Sequence, residues 1–196
     1  MKFQNTYRYF VLFYLYAPIV SHVQTHGKKM LICIIVTLMC IFGFSTYVSL
    51  SRENIREYNN LKKYYKWLDI KIYHCIHQAA GKYNISVKLT CAVIQQESGS
   101  YCNNNLKKMV KVKSSAGAIG IMQVMPFHID IPIKLMNYRT NINKGVWYLS
   151  ECLIKSKQNI SQACRMYNAG INNKEKTYKN WAYVKRIIND YYLCLL

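Results

Sequence analysis

The longest apolar stretch of the chain covers residues 30–50. It reads MLICIIVTLMCIFGFSTYVSL and contains no charged side chain. As an α-helix rising ~1.5 Å per residue, it would match the thickness of the hydrocarbon core of a bilayer. The pattern therefore predicts a transmembrane helix that serves as a signal anchor. A cleaved signal peptide is the alternative, although the apolar core of such a peptide usually has only ~7–15 residues.

The flanks of this stretch predict the rest of the domain organisation. Lys28 and Lys29 precede it, and the positive-inside rule then places an N-terminal segment, residues 1–29, in the cytoplasm or at the membrane interface. Residues 51–66 are polar and charged, which is typical of a stalk. Residues 67–196 are predicted to form one domain on the far side of the membrane.

Apolar positions in this domain recur mostly at helical spacing. Leu68, Ile72 and Ile76 begin one such pattern, and Ser86 is a suitable N-cap for a second helix that reads VKLTCAVIQQES. Further patterns predict helices near residues 142–153, 161–167 and 184–191. The stretch from Gly99 to Ser115 is polar, Lys-rich and predicted to be a loop. Because no convincing period-two strand is present, the domain is predicted to be mainly α-helical.

The chain is strongly basic. It has 27 Lys and Arg against 8 Asp and Glu, for a formal net charge of +19. Such a charge favours polyanionic partners, which include nucleic acid, anionic lipid and a cell wall with free peptide carboxylates. A general drift of composition towards Lys, Asn, Tyr and Ile is an equally simple explanation. Since the basic residues are scattered and no recognition motif accompanies them, no nucleic-acid partner is predicted.

No metal or other cofactor is predicted. The Cys residues form no C-x-x-C pair, and His74 and His77 have no third ligand nearby in the sequence. The chemistry is therefore sought in a carboxylate. Glu97 ends an apolar helix and precedes a Gly-containing loop, a setting in which burial raises the pKa of a carboxyl group and suits it to general acid catalysis. A solvated glutamate near a helix end is the alternative.

Six sequence blocks then follow in a characteristic order. They are AAGKY at 79–83, AVIQQESG at 92–99, SSAGAIGIMQVMP at 114–126, NINKGVWYL at 141–149, YNAG at 167–170 and YVKRI at 183–187. In this order they resemble the soluble lytic transglycosylase (SLT) family, whose fold is related to goose-type lysozyme. The resemblance covers about residues 67–192. It implies a lysozyme-like helical domain that acts on the glycan strands of bacterial peptidoglycan.

The resemblance also implies roles for individual residues. Glu97 matches the catalytic glutamate, and Ser114 matches a serine that hydrogen-bonds near the reacting sugar. Met122 and Gln123 match a pair that lines the glycan groove. Tyr167 and Asn168 match the YNAG pair, whose tyrosine packs near the catalytic acid; these six positions are the expected catalytic and substrate-binding residues, with no metal among them.

The implied reaction needs one carboxylate and no water. Glu97 would protonate the oxygen between N-acetylmuramic acid (MurNAc) and N-acetylglucosamine (GlcNAc), and would then accept the proton of the muramyl C6 hydroxyl. The product would be a 1,6-anhydro-MurNAc end. The expected location is the bacterial inner membrane, as a single-pass protein with the domain in the periplasm. The expected partners are peptidoglycan, the membrane and a secretion-system assembly.

The chain departs from the family in two places, and other functions remain open. The Lys-rich loop between Glu97 and Ser114 is longer than usual, and Phe127-His128 follows Pro126 where the family has Thr-Ala. A non-catalytic wall-binding or assembly protein is one alternative. A muramidase that uses water is another, and it would need a second carboxylate facing Glu97, for which Asp130 is the nearby candidate.

Overall fold

The computed structural model describes residues 26–173 and 178–194. The chain divides into two compact units, residues 1–54 and 55–196. The first helix, α1, spans His26–Tyr64 and so includes the predicted segment 30–50 and most of the predicted stalk. Helix α1 runs continuously through residues 29 and 50 and ends just before residue 66. The predicted domain boundaries at these three residues therefore stay a prediction.

The predicted membrane helix is not supported by the residues that the structure describes. Residues 30–50 are helical, but within the described part of the chain no helix is both long enough and apolar enough to cross a membrane. The side chains at 34–42 are exposed, and those at 30–33 and 43–50 lie outside the described ones.

Two capped helices follow in the second unit. Helix α2 spans Ile70–Tyr83, and the side chain of Asp69 accepts a hydrogen bond from the Ile72 backbone N–H at 2.8 Å. Helix α3 spans Val87–Ile94, and Ser86 accepts one from the Leu89 N–H. Each cap satisfies a donor that the first helical turn leaves unpaired. The predicted N-cap at Ser86 is therefore confirmed.

The polar stretch 99–115 is not a simple loop. It contains a short helix, α4, at Leu106–Lys111, whose N-cap is Asn105. Two 3₁₀ turns follow at Pro126–His128 and Pro132–Met136.

Three longer helices complete the domain: α5 at Tyr138–Lys155, α6 at Ile160–Ala169 and α7 at Tyr178–Leu193. The described residues contain two isolated β-bridges, Lys113 with Ile119 and Ile119 with Val124, and no extended strand. The prediction of a mainly α-helical domain is confirmed.

Helix α3 lies at the centre of the core. All residues from Leu89 to Ile94 are buried, which means that neighbouring elements cover every side of this short helix. It packs against α2 and α7, while α5 packs against α2 and α6. Full burial of a large aliphatic side chain contributes roughly 1.5–3 kcal/mol. The buried helix therefore fixes the position of whatever follows it, which is Glu97.

Candidate active site

Glu97 lies in a single π-helical turn, Gln95–Gly99, that continues α3. Such turns insert one residue into a helix and often occur at functional sites. Ser98 and Gly99 are buried, whereas part of Glu97 reaches solvent. A side chain at Gly99 would lie 2.8 Å from Gln95 Oε1, and Trp67 Nε1 donates a 2.7 Å hydrogen bond to that same oxygen. A larger residue at position 99 would require the Gln95 side chain to move and would disturb its hydrogen bond with Trp67.

The carboxyl group of Glu97 receives a hydrogen bond from a distant helix. Tyr183, on α7, is 6% exposed, and its hydroxyl donates to Glu97 Oε1 at 2.5 Å. Burial raises the pKa of Glu97 and the Tyr183 hydrogen bond lowers it, and the net result is a pKa raised from 4.5 to about 7. Glu97 can therefore both donate and accept a proton near neutral pH.

The segment 119–122 is held beside Glu97 by Asn141, which is fully buried on α5. Asn141 Oδ1 accepts from the Met122 N–H at 2.8 Å, and its Nδ2 donates to the carbonyls of Ile119 at 2.7 Å and Leu135 at 3.0 Å. Gly120, with φ of 78°, leaves the space for this amide, since a Cβ there would lie 2.5 Å from Nδ2. Asn141 thus fixes the backbone of this segment.

Two hydroxyl groups join the neighbouring elements to the same segment. Ser98 Oγ donates to the Ile121 carbonyl at 2.7 Å, and the Tyr167 hydroxyl donates to the Met122 carbonyl at 2.8 Å. Burial and, secondarily, the charge of Glu97 raise the pKa of Tyr167, so this hydroxyl keeps its proton. Tyr167 therefore feels the charge of Glu97 and is hydrogen-bonded to the 119–122 segment.

A cavity of about 230 Å³ adjoins Tyr167. Of the six expected site residues, it is lined by Gln123, Tyr167 and Asn168. Glu97, Ser114 and Met122 are not among its lining residues. Besides burial, the charge of Glu97 contributes to the raised pKa of Tyr167, whose ring forms part of the cavity wall.

The other expected residues have structural contacts. Met122 is fully buried, and a Cβ at Gly145 would lie 2.5 Å from its sulfur, so its side chain packs in the core. Ser114 Oγ accepts from the Ala118 N–H at 3.0 Å, which closes the turn formed by residues 114–118. Gln123 Nε2 donates to the Gly120 carbonyl at 2.8 Å.

Three aromatic residues complete the wall of the cavity. The His128 ring lies 4.4 Å from that of Phe127 and 4.5 Å from that of Tyr148, centroid to centroid. Tyr148 in turn lies 5.3 Å from Tyr167. Burial and, secondarily, the charge of Lys144 lower the pKa of His128. None of these three residues was among the six expected site residues. In the sequence, Phe127 and His128 were marked only by their departure from the Thr-Ala pair of the family, and Tyr148 only by its place in the NINKGVWYL block.

The wall of this cavity contains no Asp or Glu side chain. Asp130 is exposed and does not line the cavity. Among residues 26–173 and 178–194, no three His, Cys, Asp or Glu side chains lie close enough together to hold a metal ion.

The mainly helical fold, with a half-buried glutamate after a central helix, is consistent with a lysozyme-like domain. Residues 74–188 match the family described as Transglycosylase SLT domain. This match covers more than half of the chain, and the chain therefore belongs to the SLT family. The predicted family membership is confirmed.

A solved structure supports the same fold. The chain is similar to the X-ray structure of an inactive mutant of the lytic transglycosylase Slt from Pseudomonas aeruginosa, with a TM-score of 0.52 and 20% sequence identity. The match covers 62% of this chain and 23% of that one. The chain thus spans about a quarter of the length of this relative, and the likeness concerns the fold.

Proposed function

We propose that this protein is a peptidoglycan lytic transglycosylase that cleaves the MurNAc–GlcNAc bond, with Glu97 as its single general acid and base. The observation that carries the proposal is the state of the Glu97 carboxyl group. It is held at the end of a buried helix, its pKa is raised to about 7, and Tyr183 donates to it. SLT family membership supplies the substrate class.

In the first step, protonated Glu97 donates its proton to the glycosidic oxygen. The bond between the anomeric carbon of MurNAc and this oxygen breaks, and GlcNAc leaves as an alcohol. Positive charge that develops on the muramyl ring is stabilised by the neighbouring acetamido group. Glu97 is then ionised, and the Tyr183 hydrogen bond stabilises the carboxylate.

In the second step, Glu97 accepts the proton of the muramyl C6 hydroxyl. The oxygen of this hydroxyl attacks the anomeric carbon, which closes the 1,6-anhydro ring and returns Glu97 to its protonated form. One residue donates a proton and then recovers one, so no second carboxylate is required. This reaction fits a site in which Asp130 is exposed and away from the cavity.

The glycan strand is proposed to occupy the cavity beside Tyr167. Gln123 and Asn168 offer amide groups there, and Tyr148 and Tyr167 offer ring faces against which the apolar face of a sugar can pack. Ser114 and Met122 act through the shape of the 114–122 segment, since the first closes its turn and the second is buried beneath it.

The test is mass spectrometry of the fragments that the full-length protein releases from purified peptidoglycan, compared with Glu97→Gln. Anhydro-muropeptides from the native protein alone are the expected result. Reducing-end muropeptides would instead make it a muramidase. Binding to the wall without any released fragment would indicate a non-catalytic assembly protein.

The location and the further partners are also proposals. Residues 30–50 carry no charged side chain, which supports tethering to the inner membrane with the catalytic domain in the periplasm. Association with a secretion-system assembly would give local wall cleavage a purpose. Membrane fractionation of cells, before and after deletion of residues 30–50, tests the tether; recovery of both forms in the soluble fraction would refute it.

A further inference from the structure

A second cavity, of about 550 Å³, lies between α2 and α5 and shares no lining residue with the first. Its volume is in the range of ~300–1,000 Å³ found for ligand sites. Helix α2 contributes most of the wall, and α5 contributes Arg139 and Asn143. The cavity therefore belongs to the folded domain but is distinct from the proposed catalytic groove.

The charged groups that line this cavity are cations. They are Lys71, Lys82 and Arg139, and no Asp or Glu is present in its wall. The negative charge of Asp69 reaches Cys75 in the cavity wall, but the Asp69 carboxylate is already engaged as the N-cap of α2. A concave surface with charge of one sign concentrates the opposite charge within it.

The neutral groups add hydrogen-bond donors. Tyr83 donates from its hydroxyl to Asn143 Oδ1 at 3.1 Å, so the amide nitrogen of Asn143 is the end that remains for a ligand. The Lys82 ammonium lies 4.9 Å from the centre of the Tyr83 ring, a cation–π contact that keeps it at the cavity wall. The three cations and the Asn143 amide nitrogen therefore favour a ligand group that accepts hydrogen bonds.

We propose that this cavity binds carboxylate groups of the peptide stems of peptidoglycan, and so holds the wall at a second point while the glycan occupies the groove. The inference rests on the proposed function for its substrate. Guanidinium pairs with carboxylate through two parallel hydrogen bonds, and ammonium groups supply further charge. Peptide stems are the part of the polymer that offers free carboxylates at a distance from the cleaved bond.

Binding of the full-length protein to purified sacculi tests this inference, in a Glu97→Gln background so that no cleavage occurs. The cavity variant is Lys71→Gln/Lys82→Gln/Arg139→Gln. The matched control, Lys66→Gln/Lys157→Gln/Lys185→Gln, removes the same charge from exposed positions outside the cavity. A parallel set of sacculi has its carboxylates converted to neutral amides with a carbodiimide and ethanolamine.

The cavity variant should bind native sacculi roughly tenfold more weakly than the control, since three exposed charge pairs together contribute about that much. The difference should vanish on amidated sacculi. Equal weakening in both variants, or a difference that persists after amidation, would overturn the proposal. If the triple variant does not fold, Arg139→Gln alone is compared with Lys185→Gln. Absence of anhydro products from native protein would refute the catalytic proposal and leave this binding result intact.

Discussion

Tyr183 donates a hydrogen bond to Glu97 from a position 86 residues further along the chain. The contact forms because α7 packs against α3 and the π-helical turn that follows it. Burial and the Tyr183 hydroxyl have opposite effects on the acidity of Glu97. Burial raises the pKa of Glu97, and the Tyr183 hydroxyl lowers it by stabilising the ionised form.

The first prediction concerns the pH dependence of cleavage. A general acid must carry its proton, and the pKa of Glu97 is raised to about 7. The rate kcat/KM should therefore fall above pH 7, by about tenfold per pH unit. Measurement of anhydro-product release between pH 5 and 9 tests this. A rate that stays constant to pH 9 would mean that Glu97 is not the acid.

The second prediction concerns Tyr183→Phe. Loss of the hydroxyl removes the interaction that lowers the pKa of Glu97, while the buried ring is retained. The alkaline limb of the pH–rate profile should move up by about one unit, since one hydrogen bond to a charged group contributes about that much. Tyr192→Phe, on the exposed side of the same helix, is the control and should leave the limb where it is. An unshifted limb in Tyr183→Phe would exclude the proposed coupling.

The same raised pKa predicts a change in stability with pH. Folded Glu97 holds its proton up to about pH 7, whereas the unfolded chain releases it near 4.5. Between these values the folded state binds more protons, so the free energy of unfolding should decrease as the pH rises from about 4.5 to 7. Glu97→Gln removes this decrease. Thermal unfolding of both proteins across this range measures it, and parallel curves would show that Glu97 does not contribute.

Much of the helical framework could be predicted from the sequence because its signals are local. Ser86 lies directly before an apolar periodic run, and that run became α3 with Glu97 at its end. The short helix α4 was missed, because its Lys-rich sequence has the composition of a loop and only Asn105 marks its start.

The contacts around Glu97 were less predictable because they depend on tertiary packing. Tyr183 belonged to a sequence block that was used to identify the family, but the pattern of α7 does not say which of its turns faces Glu97. Met122 was expected to line a groove and is instead buried, with its carbonyl held by Tyr167. Local spacing places a residue on a helix or loop but does not choose its partner from elsewhere in the chain.

The fourth prediction concerns Asn141, whose side chain supports the 119–122 segment. Asn141→Leu has a similar volume but removes the hydrogen bonds to the buried Met122 N–H and Leu135 carbonyl, while the Ile119 carbonyl still accepts from the Val124 N–H. Each unsatisfied group costs about 1–3 kcal/mol, so the variant should be destabilised by several kcal/mol and lose activity. Asn143→Leu, two residues along on the same helix and partly exposed, should cost much less. Chemical denaturation compares them, and similar midpoints would contradict the role given to Asn141.

Phe127 provides the last prediction, which separates binding from catalysis in the groove. Its ring is 76% exposed at the cavity wall, and it contacts the ring of His128. An apolar ring that remains this exposed can gain contacts when a sugar packs on it, and a stacking contact of this kind contributes about 0.5–1.5 kcal/mol. Phe127→Ala should therefore raise KM for soluble glycan fragments by about two- to tenfold and leave kcat nearly unchanged. Phe127→Trp should restore the native KM, and Tyr101→Ala, at another exposed aromatic position away from the cavity, should not change it. A fall in kcat with unchanged KM would place Phe127 in the chemical step and not in glycan binding.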